Sequence, residues 1–182
     1  MAPYFMESER LCFREVRVSD VNETYYRWLN NPEVNRYLET RFIPQSYESI
    51  TYYVKQMDGN KNELFFAICL RESDEHIGNI KIGPINWYHR TADISLLIGE
   101  KQYWGKGYAS EAIRAVSAVG FKLLNLRKLK AGCYADNLGS ACAFKKAGYT
   151  QEALLKKQVL IDLREEDVIL LGFHVDDFRR QT

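Results

Sequence analysis

The stretch EKQYWGKGYASEAI, which begins at Glu100, combines glycines and lysines in a way that suits phosphate binding. Glycine lets backbone N–H groups turn toward one point, and the first turn of a helix adds unpaired N–H groups and the positive end of its dipole. Lys101 and Lys106 add positive charge at the rim. The run from Gln102 to Ala109 therefore predicts a cradle that suits a pyrophosphate.

Two well-known phosphate motifs do not fit this stretch. A Walker loop reads G-x-x-x-x-G-K-[ST], but one residue too many separates Gly99 from Gly105, and Gly107 follows Lys106. The dinucleotide fingerprint requires a third glycine where this chain has Ser110. A plain strand-to-helix turn that needs glycine for its geometry alone is the other interpretation open at this point.

The elements that must position this loop follow from the periodicity of apolar residues. Alternation predicts strands, and spacings of three and four residues predict helices that begin near Ser19, Ser46 and Ala109. The helix from Ala109 carries an apolar stripe that reaches Leu123, and the last two strands are joined through the polar segment DLREED. The predicted order is a strand, two helices, three strands, a long helix, a strand, a short helix and two strands.

This order predicts an α/β fold in which a mixed sheet has helices on both faces. The strands ADISLLIG and KLKAGCYA are expected to be parallel neighbours, because the long helix between them completes a right-handed βαβ unit. With 182 residues, of which 46% are hydrophobic, the chain is the size of a single domain spanning residues 1–182.

Charge and cysteine usage limit the partners that the sequence allows. The net charge is +1 and the basic residues are scattered, so we expect no nucleic acid. No apolar run approaches the roughly 20 residues of a membrane helix, and the N-terminal MAPYFMESER lacks a signal-peptide pattern. The four cysteines are widely spaced without a CxxC pair. We therefore expect a cytoplasmic protein with reduced thiols, no membrane partner and no metal.

Two stretches at the right separation resemble the GNAT acetyltransferase superfamily. LLIGEKQYWGKGYASEAI resembles its motif A, [RQ]-x-x-G-x-[GA], and ADNLGSACAFKKAGY is similar to its motif B, which has the form N-x-x-[SA] followed by K-x-G-[FY]. The N-terminal LCFREVRVSDVNETYYRWLNNPEV resembles the branch that contains ribosomal-protein N-terminal acetyltransferases and amino-sugar acetyltransferases. The resemblance covers residues 9–175 and implies a mostly antiparallel, twisted sheet with a splayed parallel strand pair.

Acetyl-CoA is the cosubstrate that this resemblance implies. The loop after the fourth strand of the family would hold the pyrophosphate through backbone N–H groups, and the end of ISLLIG would pair with the pantetheine arm. Asn137 and Ser140 would face the cofactor, although both residue types also suit a helix cap. The cofactor-binding residues so predicted are Leu97, Ile98, Gln102, Gly105, Lys106, Gly107, Tyr108, Ala109, Asn137, Ser140 and Phe144.

The acid–base residues depart from the family's pattern. Phe144 stands where many relatives have a proton-donating tyrosine, and Gly132 stands where some have a glutamate base. Asp93, near the start of the fourth strand, is our candidate base, and Tyr134 is a candidate base or proton donor. Glu100 is a third candidate. A structural carboxylate, a core tyrosine and a loop-lining carboxylate are the respective alternatives.

The acceptor is the least readable part of the sequence. The segment NRYLETRFIPQSYESITYY is expected to form one wall of the acceptor site, opposite DLREED. Its arginines and tyrosines, Arg36, Tyr37, Arg41, Tyr47 and Tyr52, suit a nucleotide-linked amino sugar or an acidic protein tail. The predicted acceptor is thus a small-molecule amine or a protein N-terminus, and the sequence also allows a homodimer. A CoA-binding sensor or scaffold that has lost catalysis is the alternative function.

Overall fold

The computed structural model describes residues 4–181. Its strands are β1 Met6–Glu7, β2 Leu11–Glu15, β3 Leu64–Leu70, β4 His76–Asn86, β5 Thr91–Ile98, β6 Lys128–Tyr134, β7 Thr150–Ile161 and β8 Arg164–His174. Its α-helices are α1 Glu23–Asn30, α2 Pro32–Asn35, α3 Tyr47–Met57, α4 Tyr108–Ala118, α5 Leu138–Lys146 and α6 Val175–Gln181. No helix among these residues is long and apolar enough to cross a membrane.

The strands form one sheet in the order β1-β2-β3-β4-β5-β6-β8-β7. Every neighbouring pair is antiparallel except β5 and β6, which are parallel. These two strands pair only from Thr91 to Asp93 with Lys128 to Lys130, and beyond that point they separate. The predicted antiparallel sheet with a splayed parallel pair is confirmed.

Helices cover both faces of this sheet, because alternate residues of the strands feed two separate cores. Leu11 and Phe13 of β2 belong to a large cluster that includes residues of α4 and α5. Cys12, between them, belongs to a second cluster with Trp28 of α1 and Ile50 of α3. The strand period of two thus places α4 and α5 on one face and α1 and α3 on the other.

The two N-terminal helices begin differently from one another. Ser46 caps α3 as predicted, since its Oγ accepts a hydrogen bond of 3.1 Å from the Ser49 N–H. The prediction for Ser19 is wrong, because it lies in a 3₁₀ turn and α1 is capped instead by the side chain of Asn22. The Asp20 carboxylate holds this turn through the Arg14 guanidinium, at 2.7 and 2.9 Å.

The apolar stripe of α4 ends earlier than its periodicity predicts. After Ala118 the helix continues as a π-helical turn over Val119–Leu123, which changes the phase of the side chains. Phe121 is therefore buried, and Leu123, which the period of 3.6 places in the stripe, is 63% exposed.

The C-terminal hairpin is also tighter than predicted. Asp162 and Leu163 alone form its turn, and both have positive φ angles, of 49° and 62°. The polar residues from Arg164 to Asp167 therefore belong to β8 and not to a connecting loop. The terminal helix α6 follows β8 and was not predicted.

Candidate active site

The Gly-rich loop leads from β5 into α4 with two residues in the left-handed region. Gly105 has a φ of +72°, and Gly107, the N-cap residue of α4, has a φ of +85°. A Cβ atom at Gly105 would meet nothing within 4 Å. The backbone conformation, and not crowding, is therefore what requires glycine at Gly105.

A continuous run of backbone donors lies open along this loop. Among the described residues, no hydrogen bond is donated by the backbone N–H groups from Gly105 to Ser110. The first N–H of the helix with a partner is that of Glu111, which donates to the Gly107 carbonyl at 3.1 Å. Free donors at the positive end of a helix of this length favour a bound anion.

The start of the loop is fastened to α1 by Glu100. Its Oε1 accepts hydrogen bonds from Arg27 Nη2 at 2.7 Å and from the Trp28 indole at 2.9 Å. The Trp28 ring lies so close to Gly99 that a Cβ atom there would stand 2.0 Å from it. Glu100 thus has two structural partners on α1, and Gln102 lines a cavity of about 260 Å³ that Arg27 and Trp28 also line.

Leu97 and Ile98 lie on the separated part of β5. One edge of this segment pairs with β4, where Leu97 faces Asn79 and Ile98 faces Gly78. In the part of the chain that the structure describes, the other edge, toward β6, has no strand partner beyond Asp93. An extended chain entering the gap would find unpaired backbone groups of β5 there.

The motif-B residues lie across the gap, on β6 and α5. Asn137 caps α5, because its Oδ1 accepts a hydrogen bond of 3.1 Å from the Ser140 N–H, and its amide nitrogen has no bond among the described residues. Burial raises the pKa of the Cys133 thiol, and the Ser140 side chain opposes this in part. Phe144 is 2% exposed and lies edge-on against Tyr149, with ring centroids 5.0 Å apart.

Tyr134 ends β6 and carries a hydrogen-bonded cluster on the opposite side of the gap. Its hydroxyl donates to the Glu39 carboxylate and accepts from Nη1 and Nη2 of Arg41, both at 3.1 Å. Arg41 also donates to the Leu160 carbonyl at 3.0 Å, which joins the cluster to the C-terminal hairpin. Burial and the Glu39 carboxylate raise the pKa of Tyr134, and Arg41 opposes them in part. Tyr134 is thus a protonated phenol at neutral pH.

Glu39 has no sequence signal of its own and was missed. It lies in a 3₁₀ turn, Glu39–Phe42, within the segment predicted as an acceptor wall. Arg36 of the same wall pairs with Asp162 at 2.9 Å, so the wall does face the C-terminal hairpin. Tyr47 bonds instead to Glu23, and Tyr52 is 67% exposed.

Asp93 stands where β5 and β6 separate. It is the last residue of β5 in register with β6, opposite Lys130, and its carboxylate lies 3.2 Å from the Lys130 ammonium. Lys130 and Tyr134 share a sheet face, because residues an even number apart on a strand point the same way. Asp93 and Tyr134 are therefore both on the face that carries the Glu39 cluster. Within residues 4–181, no three His, Cys, Asp or Glu side chains are grouped to hold a metal.

Comparison with known families decides what this arrangement is. A family model described as an acetyltransferase (GNAT) domain matches residues 10–150. The chain belongs to the GNAT acetyltransferase family. It is accordingly an acetyltransferase, and acetyl-CoA is its cosubstrate. The narrower likeness to ribosomal-protein and amino-sugar acetyltransferases stays a prediction.

Relatives of this GNAT protein include enzymes with named activities. It is 30% identical over 153 residues to the uncharacterized N-acetyltransferase p20 of Bacillus licheniformis, covering 82% of this chain and 84% of that protein. It is 25% identical over 146 residues to a spermidine N(1)-acetyltransferase of Vibrio cholerae, covering 78% and 83%.

Solved structures share the fold over nearly the whole chain. A GNAT-family acetyltransferase from Bacillus anthracis matches with a TM-score of 0.81 and 25% identity, covering 93% of this chain and 98% of that one. The spermidine N-acetyltransferase of Vibrio cholerae, in complex with CoA and spermine, matches with a TM-score of 0.84 and 21% identity, with the same coverage.

Proposed function

We propose that this GNAT protein transfers the acetyl group of acetyl-CoA to a primary amine by direct attack in a ternary complex. The open run of N–H groups from Gly105 to Ser110, next to the unpaired edge of β5, is the observation that carries the proposal. A small-molecule amine is the acceptor class that we favour, and spermidine is the acceptor named for some relatives. A protein N-terminus is the competing acceptor.

The donor side of the site is made from backbone. The N–H groups from Gly105 to Ala109 would hold the pyrophosphate, while Leu97 and Ile98 would offer their free edge to the amides of the pantetheine arm. Asn137 has an amide nitrogen free to donate from the far side of the gap. Acetyl-CoA supplies the thioester carbonyl, and these residues fix where that carbonyl lies.

The acid–base work falls to the face that carries Asp93 and Tyr134. An amine of pKa about 8 to 10 is largely protonated at neutral pH, so it must lose a proton before it attacks. The ammonium loses this first proton to solvent. After the attack Asp93, whose carboxylate lies 3.2 Å from the Lys130 ammonium, takes the second proton from the new amide nitrogen through a water molecule. Tyr134 gives its hydroxyl proton to the departing thiolate, and Arg41 stabilises the phenolate that remains. Solvent then carries the proton from Asp93 to Tyr134, which restores both groups.

The charge pattern of the acceptor side limits which class of amine we expect as the acceptor. Three of its carboxylates already have partners: Glu39 has Tyr134, Asp162 has Arg36, and Asp93 has Lys130. A polyamine needs a free carboxylate for each of its ammonium groups, and these three are engaged. We therefore expect a monoamine, with a neutral or anionic remainder, to react faster than a polyamine.

The decisive experiment is thiol release from acetyl-CoA with three acceptor sets. They are peptides with free Ala, Ser or Met termini, nucleotide-linked amino sugars, and polyamines, with the acetylated product identified by mass spectrometry. We expect turnover with the amino sugars, and a much slower reaction in Tyr134→Phe. Tyr52→Phe is the matched control, because this tyrosine is 67% exposed on α3 and makes no hydrogen bond to the cluster among the described residues.

The sensor alternative makes the opposite prediction. A chain that binds CoA in calorimetry, yet acetylates none of the three sets, would contradict the proposed catalysis and favour a sensor or scaffold. The absence of the family's usual tyrosine, replaced by Phe144, is what supports that alternative. The protonated Tyr134 beside Arg41 weighs against it, because a proton donor is present on β6 instead of on α5.

A further inference from the structure

Arg10, which lies outside both cofactor motifs, reaches the N-terminal end of α4 from the turn between β1 and β2. Its Nε donates to Glu111 at 2.8 Å, and its Nη1 donates to the Lys106 carbonyl at 3.1 Å. Its guanidinium carbon lies 4.3 Å from the centre of the Tyr108 ring. Three contacts from three residues therefore fix the orientation of this guanidinium beside the loop.

Glu111 is built to hold Arg10 and not to compete for a ligand. Its carboxylate is 8% exposed and also accepts bonds from the Arg10 backbone N–H and the Ser8 hydroxyl, both at 2.7 Å. Burial acts to raise the pKa of Glu111, but these bonds together hold the pKa below its ordinary value. The carboxylate thus stays ionised at neutral pH and engages the Nε side of the guanidinium.

The Nη2 side of Arg10 points at the loop. Among the described residues Nη2 makes no hydrogen bond, and it lies 3.4 Å from the position that a Cβ atom of Gly107 would take. The side chain is 41% exposed, so a ligand can reach it. A charged donor, held in place, thus stands beside the open N–H groups of Gly107 and its neighbours.

We propose that Arg10 is a further phosphate ligand, whose Nη2 donates to the pyrophosphate of bound acetyl-CoA alongside the backbone N–H groups of the loop. The proposal rests on CoA binding at this loop. A guanidinium suits phosphate because it is planar, permanently charged and carries several donors. It adds a positive charge, held in place by its three contacts, to the backbone dipoles of the cradle.

The same contacts also fix the loop itself, since Arg10 ties the Lys106 carbonyl to Glu111 of α4. The test must therefore separate a phosphate contact from loss of support. Arg71 provides the matched control, because its guanidinium bonds to the Ser8 and Glu9 carbonyls and pairs with Glu7. Arg71 thus supports the same turn between β1 and β2, and among the described residues its side chain makes no hydrogen bond or ion pair with the loop.

The experiment is isothermal titration calorimetry of the full chain with CoA and with 3′-dephospho-CoA. For Arg10→Gln we expect the Kd of both ligands to rise by the same factor, about 10- to 100-fold, as for a lost hydrogen bond to a charged group. Arg71→Gln should change neither Kd by more than about twofold. Arg10→Lys keeps the charge, so we expect an intermediate loss for both ligands with the salt dependence of the wild type, whereas Arg10→Gln should weaken that dependence.

Three results would overturn the proposal. They are an unchanged Kd in Arg10→Gln, an equal weakening in Arg71→Gln, and a weakening for CoA that is absent with 3′-dephospho-CoA. The last would move the contact to the 3′-phosphate. If Arg10→Gln does not fold, the test rests on the Kd values of Arg10→Lys compared with those of the wild type. Failure of the wild-type chain to bind CoA would instead refute the cofactor loop.

Discussion

The cofactor side and the acceptor side of the gap between β5 and β6 use different kinds of hydrogen-bonding groups. Along the loop from Gly105 to Ser110 the donors are backbone N–H groups that have no partner within residues 4–181. At the acceptor side the functional groups are side chains that already bond to one another, as Glu39, Tyr134 and Arg41 do. A ligand can enter the first region without breaking any bond, whereas an acceptor must rearrange the second.

This difference explains why one region suits a cosubstrate shared by a family and the other an acceptor that varies. A backbone cradle depends on glycine positions and tolerates change elsewhere, while a side-chain cluster is altered by a single substitution. The following predictions test the contrast, from the largest effect to the smallest.

Gly107→Glu should abolish CoA binding, with a Kd at least about 100-fold higher than in the wild type. The new carboxylate would stand in the anion cradle and repel the pyrophosphate. In addition, a residue with a side chain would be strained at the φ of +85° that Gly107 adopts. Calorimetry measures the effect. Gly59→Glu is the matched control. Gly59 also has a positive φ, of +66°, and nothing lies within 4 Å of the position that its Cβ atom would take. It lies far from Gly107 along the chain. Equal loss of binding in both variants would show that backbone strain alone is responsible.

Tyr134→Phe should lower kcat about 100-fold, the ordinary contribution of a general acid, with little change in the KM for acetyl-CoA. Steady-state kinetics with the best acceptor measures both parameters. A fall in kcat without a change in KM is informative, because it assigns Tyr134 to the chemical step and not to the binding of acetyl-CoA. A rise in the KM for acetyl-CoA with kcat unchanged would contradict the proposed division, because Tyr134 would then act in cofactor binding.

The alkaline limb of the kcat profile should move in opposite directions when the partners of Tyr134 are changed. The Glu39 carboxylate raises the pKa of Tyr134, so Glu39→Gln lowers that pKa and the proton donor is lost at a lower pH. Arg41 lowers it, so Arg41→Met moves the limb to a higher pH. Shifts in the same direction for both variants would contradict the assigned acid.

The smallest effect concerns His76, whose ring lies 5.0 Å from Trp28, the residue beneath the cofactor loop. Burial lowers the pKa of His76, and its bond to Asn79 opposes this in part. In the unfolded chain the His76 imidazole is protonated near pH 6.5, whereas in the folded chain it stays neutral at that pH. The free energy of unfolding should therefore fall as the pH drops from about 6.5 toward the folded pKa.

Urea unfolding at pH 7.5 and about pH 5.5 measures this loss of stability, and His76→Gln should reduce it. His89→Gln is the control, because His89 is exposed at a hairpin tip. An equal pH dependence in the wild type and His76→Gln would assign the loss to other groups.

The same contrast governs how much of the site the sequence could predict. Gly105 and Gly107 are needed for positive φ angles, so a local requirement leaves a mark in the local sequence. Glu39 meets Tyr134 only because the 3₁₀ turn docks on the end of β6, and no spacing along the chain encodes such a contact. The π-helical turn that exposes Leu123 was unpredictable for a related reason, since tertiary packing overrides the period of 3.6.

The short pairing of β5 with β6 has a mechanical consequence. Three residue pairs are the sheet's own connection between the five strands from β1 to β5 and the three strands β6, β8 and β7. Amide exchange in the free protein should therefore be faster along this seam than along the longer pairings of β4 with β5 and of β6 with β8 on either side of it. An arm of CoA lying in the gap would act as a brace across it, and the melting temperature would rise with its concentration. Because the product CoA carries the same arm, releasing it and loosening the seam would be one event.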